Sequence, residues 1–134
     1  MEQTIITAQS YILADGETAV HGEFACIDAT GFASPAAVGA GLRCVGVFDL
    51  AATGGLDVVG DGVKKVRIRF GQPMETFACK SDTTDAVTLV GSTAYLFDGT
   101  TVSSNGTGTS EAGTVVKIDD STTPATVFVK PTGF

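Results

Sequence analysis

Lys65-Val66-Arg67-Ile68-Arg69-Phe70, followed by Gly71-Gln72-Pro73, is the stretch on which the fold turns. Val66, Ile68 and Phe70 alternate with Lys65, Arg67 and Arg69. Successive side chains on a strand point to opposite faces, so this is the pattern of a strand with one face in a core and the other in water. Gly71-Gln72-Pro73 then turns the chain, and residues 74–79, starting at Met74, return as a second strand.

The same grammar extends to both sides. Residues 23–28 put Phe24 and Cys26 on one side and Ala25 and Ile27 on the other. Residues 42–50 put Leu42, Cys44, Gly46 and Phe48 on one face, with Arg43, Val45, Val47 and Asp49 opposite. Tyr95-Leu96-Phe97 runs through Asp98-Gly99 into Thr100-Thr101-Val102. Asp and Gly tolerate positive φ, which predicts a hairpin closed by a type I′ turn. Residues 113–118 and 125–130 form a last pair around the turn-rich Asp119-Asp120-Ser121-Thr122-Thr123-Pro124. The nearest approach to a helix is Ser34-Pro35-Ala36-Ala37-Val38-Gly39-Ala40-Gly41, which its glycines end within about two turns. Residues 53–62 and 103–112 are Gly-rich or small and polar, and read as long loops. The expectation is an all-β chain: a small single-domain β-barrel or β-sandwich, residues 17–134, with an extended N-terminal arm over residues 1–16. Ile5, Ile6, Tyr11, Ile12 and Leu13 make that arm apolar, so it is either a first strand of the domain or a segment that buries itself on another subunit.

Composition bounds the function. The 134 residues suit one domain. Hydrophobic residues are 43% and charged residues 17%, which is globular, not disordered. Eight Lys and Arg against 15 Asp and Glu give a net charge of -7, and such a surface repels phosphate backbones, so no nucleic-acid partner is expected. No apolar run approaches the roughly 20 residues of a membrane helix. Met1-Glu2-Gln3-Thr4-Ile5 lacks the basic and apolar regions of a secretory signal, so a cytosolic product is expected. Cys26, Cys44 and Cys79 match no zinc or redox spacing and read as small buried thiols.

No residue set announces catalysis. His21 is the single His and has no ligand pair near it in sequence. Asp119-Asp120 and Asp82 with Asp85 sit in turns, where Asp bonds its own backbone. Phosphate-loop, zinc-protease and nucleophile-elbow motifs are missing, and the chain is expected to be no enzyme and to need no cofactor or metal. The sharpest electrostatic feature is Lys64, Lys65, Arg67 and Arg69, half of the eight cations within six positions. Lys65, Arg67 and Arg69 share one strand face, which is either a solvated surface or a positive row suited to an acidic partner.

The order of motifs resembles small head-decoration (cement) proteins of tailed bacteriophages and prophages, Mu-like phages among them. The residues that carry the resemblance start with Ala19-Val20-His21-Gly22-Glu23-Phe24-Ala25-Cys26-Ile27-Asp28 and Gly41-Leu42-Arg43-Cys44-Val45-Gly46-Val47-Phe48. They continue with Val66-Arg67-Ile68-Arg69-Phe70-Gly71, then Asp85-Ala86-Val87 and Gly91-Ser92-Thr93-Ala94-Tyr95-Leu96-Phe97-Asp98-Gly99-Thr100-Thr101-Val102. Ala112-Gly113-Thr114-Val115-Val116-Lys117-Ile118-Asp119 and Ala125-Thr126-Val127-Phe128-Val129 close the series.

The resemblance implies a small β-barrel, often trimeric, that sits on the outer capsid lattice and stabilises the head. It implies the major capsid protein and copies of itself as partners, the virion as location after synthesis in the host cytoplasm, and no catalytic residues. Thr4, Ile5, Ile6, Tyr11, Ile12, Leu13, Lys65, Arg67 and Arg69 are the candidate contact residues. A rival reading is a carbohydrate- or host-surface-binding β-sandwich of a phage tail or fibre. It has no Trp to work with, only Tyr11, Tyr95 and eight Phe.

Overall fold

The computed structural model describes residues 5–72 and 75–134. The chain is all-β, with a single 3-10 turn at Ala51–Thr53 as its helical content among the described residues. The strands of the described residues are, in order, β1 (Ala8–Ile12), β2 (Thr18–Ala19), β3 (Phe24–Ile27), β4 (Ala33–Pro35), β5 (Arg43–Phe48), β6 (Val58–Val59), β7 (Lys65–Phe70), β8 (Phe77–Ser81), β9 (Thr93–Leu96), β10 (Thr101–Ser103), β11 (Glu111–Asp119) and β12 (Thr126–Pro131).

The C-terminal half closes into a five-stranded barrel in the order β10-β8-β12-β11-β9. Its strands alternate as the barrel requires: Phe77, Cys79 and Ser81 of β8 are buried while Ala78 and Lys80 are exposed, and Val127 and Val129 of β12 are buried. The seam is a short parallel pairing of β8 with β10, Thr101 opposite Lys80 and Val102 opposite Ser81. Polar groups brace it. Asp82 donates its N–H to Val102 at 2.7 Å, the buried Ser103 hydroxyl donates to Asp82 at 3.1 Å, and Val87 N–H donates to the buried Ser81 hydroxyl at 2.8 Å.

The N-terminal half is an antiparallel sheet in the order β1-β7-β5-β3-β4. It curls until its edges touch: Leu13, just past β1, bridges Ala33 of β4, and Ala14 N–H donates to Ala33 at 2.9 Å. Inside the curl lie Leu13, Ala25, Ile27, Val45, Phe48, Val66, Ile68 and Phe70, with Ala19 of β2 and Leu50. The other face of β3 and β5 supplies Phe24, Cys26, Cys44 and Val47 to the barrel core of Leu96, Val102, Val115, Val127 and Val129. β3 and β5 therefore form a wall between two cores, and all four residues of β3 are buried.

A bulge makes that double duty possible. Ala25 faces Gly46 but Cys26 faces Cys44, so Val45 is an extra residue on β5. Simple alternation would keep Cys44 and Phe48 on one face. The bulge sends Cys44 and Val47 to the barrel core and Val45 and Phe48 to the other, which corrects the expectation for residues 42–50. Gly46 sits where any Cβ would collide with the backbone carbonyl of Arg69 on β7.

Other expectations shift in detail. The β9–β10 hairpin forms, but its turn is not type I′. Gly99 is not among the positive-φ glycines, and the Asp98 carboxylate instead accepts the Thr100 N–H at 2.8 Å. A Cβ at Gly99 would meet the carboxylate end of the Glu23 side chain, which would have to swing aside. The segment 53–62 is not all loop, because Val58–Val59 pairs with Thr18–Ala19. In 103–112, Ser103 and Ala112 are buried strand residues and only the middle is exposed loop. Segment 34–41 holds no helical turn; its start belongs to β4. The return strand runs Phe77–Ser81, and Met74 lies outside the described residues.

The N-terminal segment resolves in favour of a strand. Ala8–Ile12 pairs with β7 over five residues, and Leu13 is fully buried. Leu13 is therefore core, not a contact residue for a partner. Leu13→Ala is expected to cost about 2–5 kcal/mol in denaturant unfolding. Deleting residues 1–14 should abolish the cooperative transition, since it opens the core inside the curl. Gly46→Ala should cost about 1–3 kcal/mol because backbone, not a side-chain end, must move.

Candidate functional site

The candidate surface centres on β1, β7 and the end of the chain. On β7, Val66, Ile68 and Phe70 are buried and Lys65, Arg67 and Arg69 are exposed, as their alternation predicts. The cations are partly partnered within the chain. Arg67 Nε lies 3.3 Å from Asp49 Oδ2, and Arg69 Nη1 donates to Glu75 Oε2 at 2.6 Å. Asp49 stands at the end of β5, next to β7, and its other oxygen accepts the Ala51 N–H. Glu75 sits across the turn after β7, and its other oxygen accepts the Gln72 N–H at 3.1 Å. The Arg69 hydrogen bond, then the Gln72 N–H, hold the Glu75 carboxyl below its usual range. The Arg69 guanidinium also lies 5.1 Å from the centre of the Phe77 ring. Both ion pairs are largely solvated, so each contributes little to stability. Lys65 has no carboxylate within salt-bridge distance among the described residues.

The sequence-derived contact residues separate into classes. Thr4 lies outside the described residues. Ile5 and Ile6 are exposed, at 82% and 58%. Tyr11 and Ile12 are half-buried, and Leu13 is interior. Tyr11 belongs to an aromatic group that the sequence reading did not assemble: Tyr11 and Phe70 are 6.4 Å apart, and Phe134 meets Phe70 edge-on at 5.1 Å. Ile6, Gln9, Tyr11, Phe70 and Phe134 line a shallow surface hollow there. Register pairing of residues 8–12 with β7 was the signal that could have found it, because it puts Tyr11 opposite Val66.

Away from this surface, the three thiols converge. Cys26 and Cys44 face each other across β3 and β5, and all three Cys are buried and free in the barrel-side core. A hydrogen bond with Cys26, and burial, push the Cys44 thiol well above its ordinary value. Burial pushes Cys79 up to about 12. Thiols so held stay protonated and are poor nucleophiles. Beside Cys79, a cavity of about 320 Å³ opens between barrel and sheet, lined by Phe24, Val47, Phe77, Lys80 and Thr126 among others. His21 uses Nδ1 to accept the Leu50 N–H at 3.0 Å, a structural role. Among the described residues no three His, Cys, Asp or Glu side chains are grouped to hold a metal ion, and no helix is long and apolar enough to cross a membrane.

Much of the acidity is structural. Asp28, Asp49, Asp61, Asp82, Asp98 and Asp119 each accept the N–H two residues on, at 2.8–3.2 Å. Asn105 does the same for Thr107. These bonds set turn geometry at the strand ends. They also hold several carboxyls low: Asp61 through the Val63 and Lys64 N–H groups, Asp82 through the Thr84 N–H, and Asp119 through the Ser121 hydroxyl. At Asp28 partial burial pushes upward, but the Thr30 hydroxyl and neighbouring N–H groups outweigh it. Glu23 goes the other way, raised by burial and by Asp98 and Asp57.

No protein-family model, no curated protein and no solved structure matches this chain.

A carboxyl held low in the folded state stabilises the fold above its unfolded pKa and loses that contribution as pH falls through the folded one. Stability measured by denaturant midpoint should therefore decline as pH drops below about 4, the ordinary Asp range. Asp119→Asn should flatten that decline. Glu23 has the opposite sign, since its raised pKa makes ionisation a cost to the fold. Glu23→Gln should leave Tm at neutral pH unchanged or raised, and a fall in Tm would show that the carboxylate is needed.

Proposed function

We propose that this chain is a structural virion protein: a decoration or cement subunit that binds the outer surface of a phage head, associates with copies of itself, and stabilises the shell. The observation that carries the reading is the way apolar side chains are exposed. Ile5, Leu56, Val63, Leu89 and Phe134 stand between 67% and 82% exposed, spread over the β1 end and the loops. Such spread suits many modest contacts repeated by symmetry, where linkage makes a weak contact sufficient. The motif order from residue 19 to residue 129 supports the same reading, and the acidic net charge of -7 keeps a densely covered particle soluble. A trimer is the assembly proposed, with the major capsid protein as the second partner.

The hollow beside Tyr11 and Phe134 favours a second reading, a carbohydrate- or host-surface-binding module of a tail or fibre, since the Phe134 ring is exposed and the half-buried Tyr11 lines the same hollow.

Purified protein mixed with expanded, undecorated phage heads should sediment with them and raise their resistance to heat. Light scattering in solution should give the mass of a trimer or show that trimers form only on heads. A folded protein that leaves heads unbound, while giving a glycan-array signal at about micromolar affinity, would replace the first reading with the second.

A further inference from the structure

The geometry points to the outer edge of β1 as an acceptor for an extended strand of a partner protein that carries acidic side chains at every second position. This names a binding mode for whatever partner the chain has, and it stands apart from the identity of the particle.

The first ground is the backbone. Phe70 N–H donates to Thr7 C=O at 2.9 Å, and Leu13 N–H donates to Lys64 C=O at 2.8 Å. Bonding alternates along an antiparallel ladder, so residues 7, 9, 11 and 13 turn their polar groups toward β7. Ala8 and Ser10 turn theirs away. Among the described residues β1 has β7 as its strand neighbour along this stretch, and the sheet closes on Ala33 only beyond it, at Leu13. A short open edge of N–H and C=O groups remains.

The second ground is the lack of protection. Exposed edges are ordinarily blunted by Lys, Pro, a bulge or a covering loop. β1 reads Ala-Gln-Ser-Tyr-Ile, without charge or Pro, and its pairing with β7 is unbroken over all five residues.

The third ground is charge. Ala8, Ser10 and Ile12 are opposite Arg69, Arg67 and Lys65, so they share that face of the sheet. Ala8 and Ser10 are small, and an added strand would lie one strand spacing beyond them, within reach of the cations. Arg67 and Arg69 each bond one carboxylate through one nitrogen and keep further N–H donors, and among the described residues Lys65 meets no carboxylate. A second copy of β1, uncharged, would bring nothing to this row. A strand with carboxylates on that face would meet it with main-chain bonds for affinity and charge for register.

The test uses the full chain, isotope-labelled, with a blocked extended peptide alternating Glu with Thr or Val, and the same peptide with Lys in place of Glu. The acidic peptide should slow amide exchange at Ala8 and Ser10, and binding should weaken with salt. Ser10→Pro removes an outward N–H at an edge position that tolerates Pro, and should weaken binding at least about tenfold. Lys65→Glu, at an exposed position, gives an independent variant with the same expected direction should the first fail to fold. Three results would overturn the proposal: no binding of the acidic peptide at about millimolar concentration, equal binding of the Lys peptide, or binding that both variants leave intact. Protection of the same amides by rising protein concentration alone, with a dimer mass, would assign the edge to a second copy instead. Head binding that persists when the edge is disabled would leave the decoration reading standing and sink this one.

Discussion

The structure depends on two strands that must be apolar on both sides. β3 and β5 separate the barrel core from the core inside the curled sheet, and apart from Arg43 at the start of β5 every residue of both is buried. Most small β-domains give each strand one wet face. The middle of the wall is made from small residues, Ala25, Cys26, Cys44, Val45, Gly46 and Val47, with the larger Phe24, Ile27 and Phe48 at its ends. Gly46 is the limiting case, since β7 passes where a Cβ would have to be. The bulge at Val45 reassigns one residue between the cores, and both halves of the chain are tied to that register.

The sequence carried the all-β class because its signals were local. Alternation at Val66, Ile68 and Phe70, and at Phe24 against Ala25, is a two-residue property and survived folding. The turns of Asp82 and Asp119 were equally local, each closed by a carboxylate on a nearby N–H. What escaped was mostly set by distant pairing. Gly46 inside the strand is a cue to a bulge or a close backbone approach, but it does not say where the register shifts, and the expected faces of β5 follow simple alternation instead. Asp98-Gly99 signals a hairpin correctly, but the Asp98 carboxylate on the Thr100 N–H, and not a positive-φ Gly99, closes the turn. The arm-or-strand question at Ala8–Ile12 could be answered only by β7, more than fifty positions on.

The candidate surface was legible to a similar degree. The row Lys65, Arg67, Arg69 was visible as a pattern, and the structure exposes it. Its partners Asp49 and Glu75 were not, because one arrives on a neighbouring strand and the other across a turn. Pairing changes what the row can do: it becomes a set of half-occupied donors and not a bare positive field. The aromatic group was invisible for the same reason, since Tyr11, Phe70 and Phe134 come from the two ends and the middle of the chain.

The thiols in the dividing wall have a consequence of their own. Cys26 and Cys44, fully buried between barrel and sheet, are out of reach of alkylating reagents while the two halves stay together. The rate at which such a reagent consumes them is then a clock for how often the two halves part, built into the molecule without any label.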